Sequence, residues 1–154
     1  MRSAVTSSTR LLLALALLLP AASTLAEPLE ADEAITLRQA AYHLQGHYFS
    51  QLKAMATGKQ AFDAAKAQQM IVRVQALSQM TPEFFPPGSD RGKTKAKPEV
   101  WTQAKDFAAR HQQSNTDLAL LAAAIKTGKP DVLKSAYLQA AGSCKDCHET
   151  YRAR

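Results

Sequence analysis

Residues 32–57 read DEAITLRQAAYHLQGHYFSQLKAMAT. Leu37, Ala41, Leu44, Tyr48, Leu52 and Met55 recur at steps of three and four, the period of a buried helical face and not of a strand. Asp32 and Glu33 suit the start of that helix, where acidic side chains meet the positive end of its dipole, and Gly58 suits its stop. Gly46 costs about 1 kcal/mol relative to Ala inside a helix. The expectation is therefore that Gly46 admits close approach of something bulky.

A helix with one apolar stripe needs other helices to cover it, and the chain supplies them. Residues 63–79 place Ala67, Met70, Ile71, Val74 and Leu77 on an inner face. The stretch TPEFFPPGSDRGKTKAKP, residues 81–98, then breaks regularity with four prolines and two glycines. Phe84 and Phe85 are expected to pin the start of this long connection to the core. A third helix is expected from Pro98, a favourable first-turn residue, to Thr127, with Gly128 ending it. The fourth begins at Pro130 or Asp131 and runs through the C-terminal cysteines. Short links after helices one and three, with a long one between, predict an all-α antiparallel four-helix bundle. No strand pattern or internal repeat competes.

Ahead of these helices lies a different kind of segment. Arg2 and Arg10 precede the run LLLALALLL, residues 11–19, then Pro20 and the small residues AASTLA. This is the layout of a secretory signal, expected to be cut after Ala26, with Thr24 and Ala26 as the small residues before the cut. The apolar run is far short of the roughly 20 residues of a spanning helix. The expectation is thus a signal peptide over residues 1–26 and one domain over 27–154, exported, soluble and without a membrane segment once cut. The leader takes two cations with it, leaving 17 Lys and Arg against 13 acids, a net charge of +4. The densest basic stretch, RGKTKAK at 91–97, has no aromatic residue interleaved for base stacking, so nucleic acid is not an expected partner. It reads as a solvated loop.

The chemistry is concentrated in SCKDCHETYR, residues 143–152, which holds both cysteines of the chain. Cys144, Cys147 and His148 form C-x-x-C-H, the attachment sequence for c-type haem. Residues three apart share a helical face, so both thiols can add to the vinyl groups of one porphyrin while His148 reaches the iron. A thioredoxin-like site would need a βαβ setting, and a structural zinc site four ligands. A simple disulfide is the remaining alternative for an exported chain.

The mature chain resembles the cytochromes c-prime, the class II cytochromes c, over essentially its whole length. The resemblance is carried by LRQAAYHLQGHYFSQLKAM in the first helix, FDAAKAQ in the second, FPPGSD and KAKPEVW in the central connection, and GSCKDCHETYRAR at the C-terminal end. It implies one covalent haem c per chain, with thioethers at Cys144 and Cys147 and His148 as proximal iron ligand. Arg38 is then the arginine beside a haem propionate and Gln39 its haem-contacting neighbour. Arg152 is the basic residue beside the proximal imidazole, and Tyr42 faces the iron on the distal side.

A neutral phenol with an ordinary pKa near 10 is a poor ligand, so the expected iron is five-coordinate and high-spin, open to small diatomic gases. The function this implies is a periplasmic haem protein, not an enzyme, that binds nitric oxide or carbon monoxide and exchanges single electrons with redox partner proteins. The alternative is a six-coordinate low-spin electron carrier. A homodimer through the first two helices is implied as well. Among other candidate ligands, His43 and His47 share one helical face and are expected to flank the pocket as polar residues. Met55, Met70 and Met80 are expected to fill core space, and His111 to be solvated.

Overall fold

The computed structural model describes residues 29–154; the leader and its expected cut lie outside them. Helix α1 (Ala31–Ala56) and α2 (Ala64–Met80) are followed by a 3₁₀ turn (Thr81–Phe84). A single turn, α3 (Glu99–Thr102), precedes α4 (Ala104–Thr127) and α5 (Pro130–Tyr151). The long helices α1, α2, α4 and α5 form the four-helix bundle expected from the sequence, with α1 against α2 and α5, and α4 against α2 and α5. The Asp63 side chain accepts from the Lys66 amide at 3.0 Å to cap α2, and Gly128 (φ 65°) ends α4 in the left-handed conformation.

The expected third helix is broken. Gln103 leaves helical geometry at φ −118° and ψ 41°, separating α3 from α4. The break lets α3 dock on the central connection: Val100 is buried, and the Trp101 indole donates to the carbonyls of Phe85 and Pro86, both at 3.2 Å.

The main apolar core joins Leu52, Met55 and Ala56 of α1 with Ala67, Ile71 and Val74 of α2. Leu118, Leu121 and Ile125 of α4 and Leu133, Tyr137 and Ala140 of α5 complete it. Burying a side chain such as Leu52, Ile71 or Leu121 contributes roughly 2 kcal/mol. These residues come from the later part of α1 and α4 and the earlier part of α2 and α5, so the core favours the end carrying the two short links. The other end holds Arg38, Tyr42, Thr81, Phe107 and the C-x-x-C-H motif.

Two features of α1 depart from the expected face. Leu37 and Leu44 are 37% and 46% exposed, and the buried positions include Ala34, Ile35 and Arg38 instead. Among the helical elements α2, α5 and the 3₁₀ turn cover α1, and the central connection covers Arg38, so part of its apolar stripe faces outward. Gly46 is exposed, and a Cβ there would meet nothing within 4 Å, so no bulky group approaches it among the described residues. On α2, Ala67, Ile71 and Val74 are buried as expected, with Met70 and Leu77 half-buried.

The basic stretch 91–97 is not a free loop. Lys97 N–H donates to Tyr151 O at 3.0 Å and Ala153 N–H to Lys95 O at 2.8 Å, around an isolated antiparallel bridge between Ala96 and Arg152. The connection is thereby tied to the end of α5, while Arg91, Lys93 and Lys95 keep exposed side chains.

Candidate functional site

Arg38 and Tyr42 lie one helical turn apart on α1 and face the bundle interior differently. Arg38 is 3% exposed, which is tolerable only because its guanidinium is hydrogen-bonded. Its Nη1 donates to Phe84 O at 2.9 Å and Ser89 Oγ at 3.2 Å; its Nη2 donates to Ser89 O at 2.9 Å and Thr94 Oγ1 at 2.7 Å. The guanidinium also sits 4.6 Å from the centroid of Phe85 and 5.7 Å from that of Trp101. Burial lowers its pKa from the ordinary value, with the Tyr42 phenol acting in the opposite direction. The bonds to the central connection make Arg38 a clamp on that segment, and its Nε is the nitrogen left for another acceptor. Gln39 is exposed and donates to Lys93 O at 2.6 Å, holding the same connection from outside.

Tyr42 has a half-buried side chain whose pKa is pushed up to about 12, chiefly by burial. The Thr81 hydroxyl and Arg38 pull it down, while Cys147 and Cys144, both within electrostatic range, push it up. The phenol and the two thiols thus belong to one neighbourhood. Cys144 and Cys147 are free and half-buried on α5. Burial raises both thiol pKa values, with Cys147 and Asp117 adding to the effect at Cys144, and Arg110 opposing it at Cys147. His148 has an exposed side chain, and its pKa is lowered by partial desolvation and then by the charge of Arg152. Both effects favour the neutral imidazole that a metal requires.

The surroundings of this neighbourhood are aromatic. Ring centroids run from Trp101 to Phe85 at 5.9 Å, Phe85 to Phe107 at 5.0 Å, and Phe107 to Tyr151 at 5.2 Å. The Tyr151 hydroxyl donates to Asp106, which also accepts from Arg110 Nε at 2.7 Å. Tyr137 instead stacks on Phe49 at 4.7 Å within the core.

Other candidate ligands lie elsewhere. His43 and His47 are exposed, and His47 Nε2 pairs with Gln51 at 2.7 Å. Met55 belongs to the core cluster, Met70 packs half-buried against it, and Met80, expected to fill core space, is 42% exposed. His111 is not solvated as expected. It is half-buried, donating from Nε2 to Ser78 O at 3.0 Å and receiving Asn115 Nδ2 at Nδ1 at 3.4 Å, and burial lowers its pKa. The sequence reading also missed Ser89, Thr94 and Thr81, whose small hydroxyls carry no signal until Arg38 and Tyr42 are placed against them. No group of three or more His, Cys, Asp or Glu able to hold a bare metal ion occurs among the described residues.

A helical bundle with C-x-x-C-H near its C-terminal end defines a class, the c-type haem proteins built on four helices. The family model described as Cytochrome C' matches residues 33–152, and the chain belongs to that family. It is 38% identical over 123 residues to cytochrome c' of Rubrivivax gelatinosus, covering 79% of this chain and 95% of that protein. The solved structure of cytochrome c prime from Shewanella frigidimarina superposes with a TM-score of 0.77 at 36% identity, covering 81% of this chain and 98% of that one. A nitric oxide complex of a cytochrome c prime variant from Alcaligenes xylosoxidans gives 0.76 at 30% identity, covering 81% and 98%. A carbon monoxide-bound variant of that protein matches equally well, at a TM-score of 0.76. As a member of this family the chain carries covalently attached haem c. Its residues suit the group: two free thiols one helical turn apart, an adjacent imidazole biased toward its neutral form, and an aromatic surround.

Proposed function

We propose that this chain is a periplasmic haem-c protein that binds nitric oxide and carbon monoxide at an open axial position under Tyr42. Cys144 and Cys147 would each add S–H across a vinyl group, and His148 would hold the iron from the proximal side. When bound, haem would supply a one-electron iron centre able to take a diatomic gas. Partial desolvation and then the charge of Arg152 favour a neutral His148, the free Nε of Arg38 would be available to a propionate, and Gln39 steadies the central connection.

One observation carries this reading. Tyr42 is a half-buried phenol within electrostatic range of both thiols, and with a pKa of about 12 it stays protonated at neutral pH, while the histidines of α1 are exposed, Met55 lies in the core and Met70 packs against it. A protonated phenol fills space without competing for iron, so a small diatomic can enter and a bulkier ligand is shut out. Exposed Leu37 and Leu44 on α1 and Val72 on α2 suit a homodimer through these two helices.

The optical spectrum of the reduced protein before and after nitric oxide tests the reading. A broad high-spin spectrum that shifts on addition is expected. A sharp low-spin spectrum indifferent to the gas would mean that a second side chain holds the iron, making this a low-spin electron carrier.

A further inference from the structure

The step of four from His43 to His47 sets two exposed imidazoles on one face of α1, and neither belongs to the site described above. His47 Nε2 lies 2.7 Å from the Gln51 side-chain nitrogen. An amide nitrogen only donates, so the imidazole nitrogen accepts there: its proton sits on Nδ1 and a lone pair is presented at Nε2. The edge of Tyr48 meets the same ring, with centroids 5.2 Å apart. The ground around the pair is small and uncharged. Ala40 and Gly46 stand three residues to either side of His43, and Ser50 three residues after His47, all of them exposed. Residues 39–51 contain no Lys, Arg, Asp or Glu, and Arg73 of α2 is engaged over the Tyr48 ring at 5.0 Å. Gly46 lies within the turn that the two imidazoles bracket, where a Cβ would meet nothing within 4 Å. A helix-weakening glycine with open space beside it leaves room for a group from outside the chain.

We propose that His43 and His47 form a surface clamp for a late first-row divalent cation, copper(II) foremost. Side chains four apart on a helix have Cβ atoms roughly 5–6 Å apart, a span that two imidazole nitrogens close over a single ion. Imidazole suits copper, nickel and zinc, and copper(II) stands highest in the affinity order for such donors. Calcium and magnesium take oxygen ligands and gain little from this pair. On binding, the ion replaces the Gln51 amide at His47 Nε2, and Gln51 turns its carbonyl oxygen toward the ion or one of its waters. Water fills the remaining positions. The other histidines compete poorly. His111 is half-buried with Nε2 bonded to Ser78 O and Nδ1 to Asn115, and His148 belongs to the haem motif. Because the two ligands bracket Gly46, the bound ion ties together the turn that the glycine weakens, immediately after Tyr42.

The test titrates copper(II), buffered with glycine, into the ferric haem-loaded protein. One equivalent should bind, leaving the haem optical spectrum unchanged and slowing amide exchange across residues 44–51. His43→Gln and His47→Gln, both at exposed positions, should each weaken binding by no less than the roughly tenfold that losing even a group supporting a metal ligand costs. His43→Gln combined with Gln51→His restores a step of four, one turn further along α1, and should recover most of the affinity. Zinc(II) should bind the unmodified protein more weakly than copper(II).

Copper binding that either single variant leaves intact would overturn the proposal, since the ion would then sit elsewhere on the chain. So would a haem spectrum that shifts in step with copper, or slowed exchange confined to residues 143–152, either of which would place the ion at the haem end. The clamp does not rest on the gas-binding reading: a low-spin spectrum before any copper is added would overturn the open distal site and leave the histidine pair standing.

Discussion

The Gln139 amide of α5 donates to the carboxylate of Asp117 on α4 at 2.8 Å, and Gln113 donates to the same oxygen at 3.1 Å. Asp117 is 3% exposed, and no Lys or Arg among the described residues lies within ion-pair distance of it. A buried carboxylate in this position depends on its amide donors. Gln139→Ala should therefore cost about 1–3 kcal/mol, read as a lower urea midpoint with unchanged slope. The same substitution in an Asp117→Asn background should cost measurably less.

Arg38→Lys should loosen the central connection. Lysine cannot reproduce a fork that reaches Phe84, Ser89 and Thr94 together. The expected loss is about 2–3 kcal/mol. Amide exchange at Ser89 and Ala96 should quicken more than exchange in the Leu52–Ile71–Leu121 core. A uniform change across the molecule would contradict the clamp.

Tyr42 gives an alkaline signature. Its folded pKa, about 12, exceeds the ordinary 10, so the folded chain holds a proton that the unfolded chain has released between those values. Stability from this group is present below pH 10 and is lost as pH rises toward 12, by roughly 3 kcal/mol in full. Tyr137 and Tyr151 are shifted in the same direction. The difference between the unmodified protein and Tyr42→Phe in urea titrations from pH 9.5 to 11.5 isolates the Tyr42 share. Parallel curves would exclude it.

Cys144→Ala and Cys147→Ala should each retain haem through one remaining thioether, visible as haem-stained protein on a denaturing gel. The double variant should lose the stain under the same conditions. Retention in the double variant would show that another residue forms the covalent link.

The helices and the haem motif were legible because their signals are local: apolar steps of three and four, Gly128 at a helix end, two thiols with a histidine following. The partners of Arg38 were not, since Ser89 and Thr94 lie 51 and 56 residues away and only the folded connection brings them near. Leu37 and Leu44 were assigned to the buried face because periodicity shows that a helix has an apolar stripe without showing how much of it neighbours cover. The break at Gln103 has no proline or glycine to announce it; it follows from the docking of Trp101. The anchoring of the 91–97 stretch was hidden for a similar reason, because its partners are main-chain groups of Tyr151 and Ala153.

The displacement of the apolar core toward the short-link end has a consequence for assembly. The first half of α5 is seated in the core through its own Leu133, Tyr137 and Ala140, whereas Cys144 and Cys147 lie beyond that seat. The chain can collapse around one end while its thiols still wait for their cofactor, so attachment completes a partly built molecule and need not nucleate it.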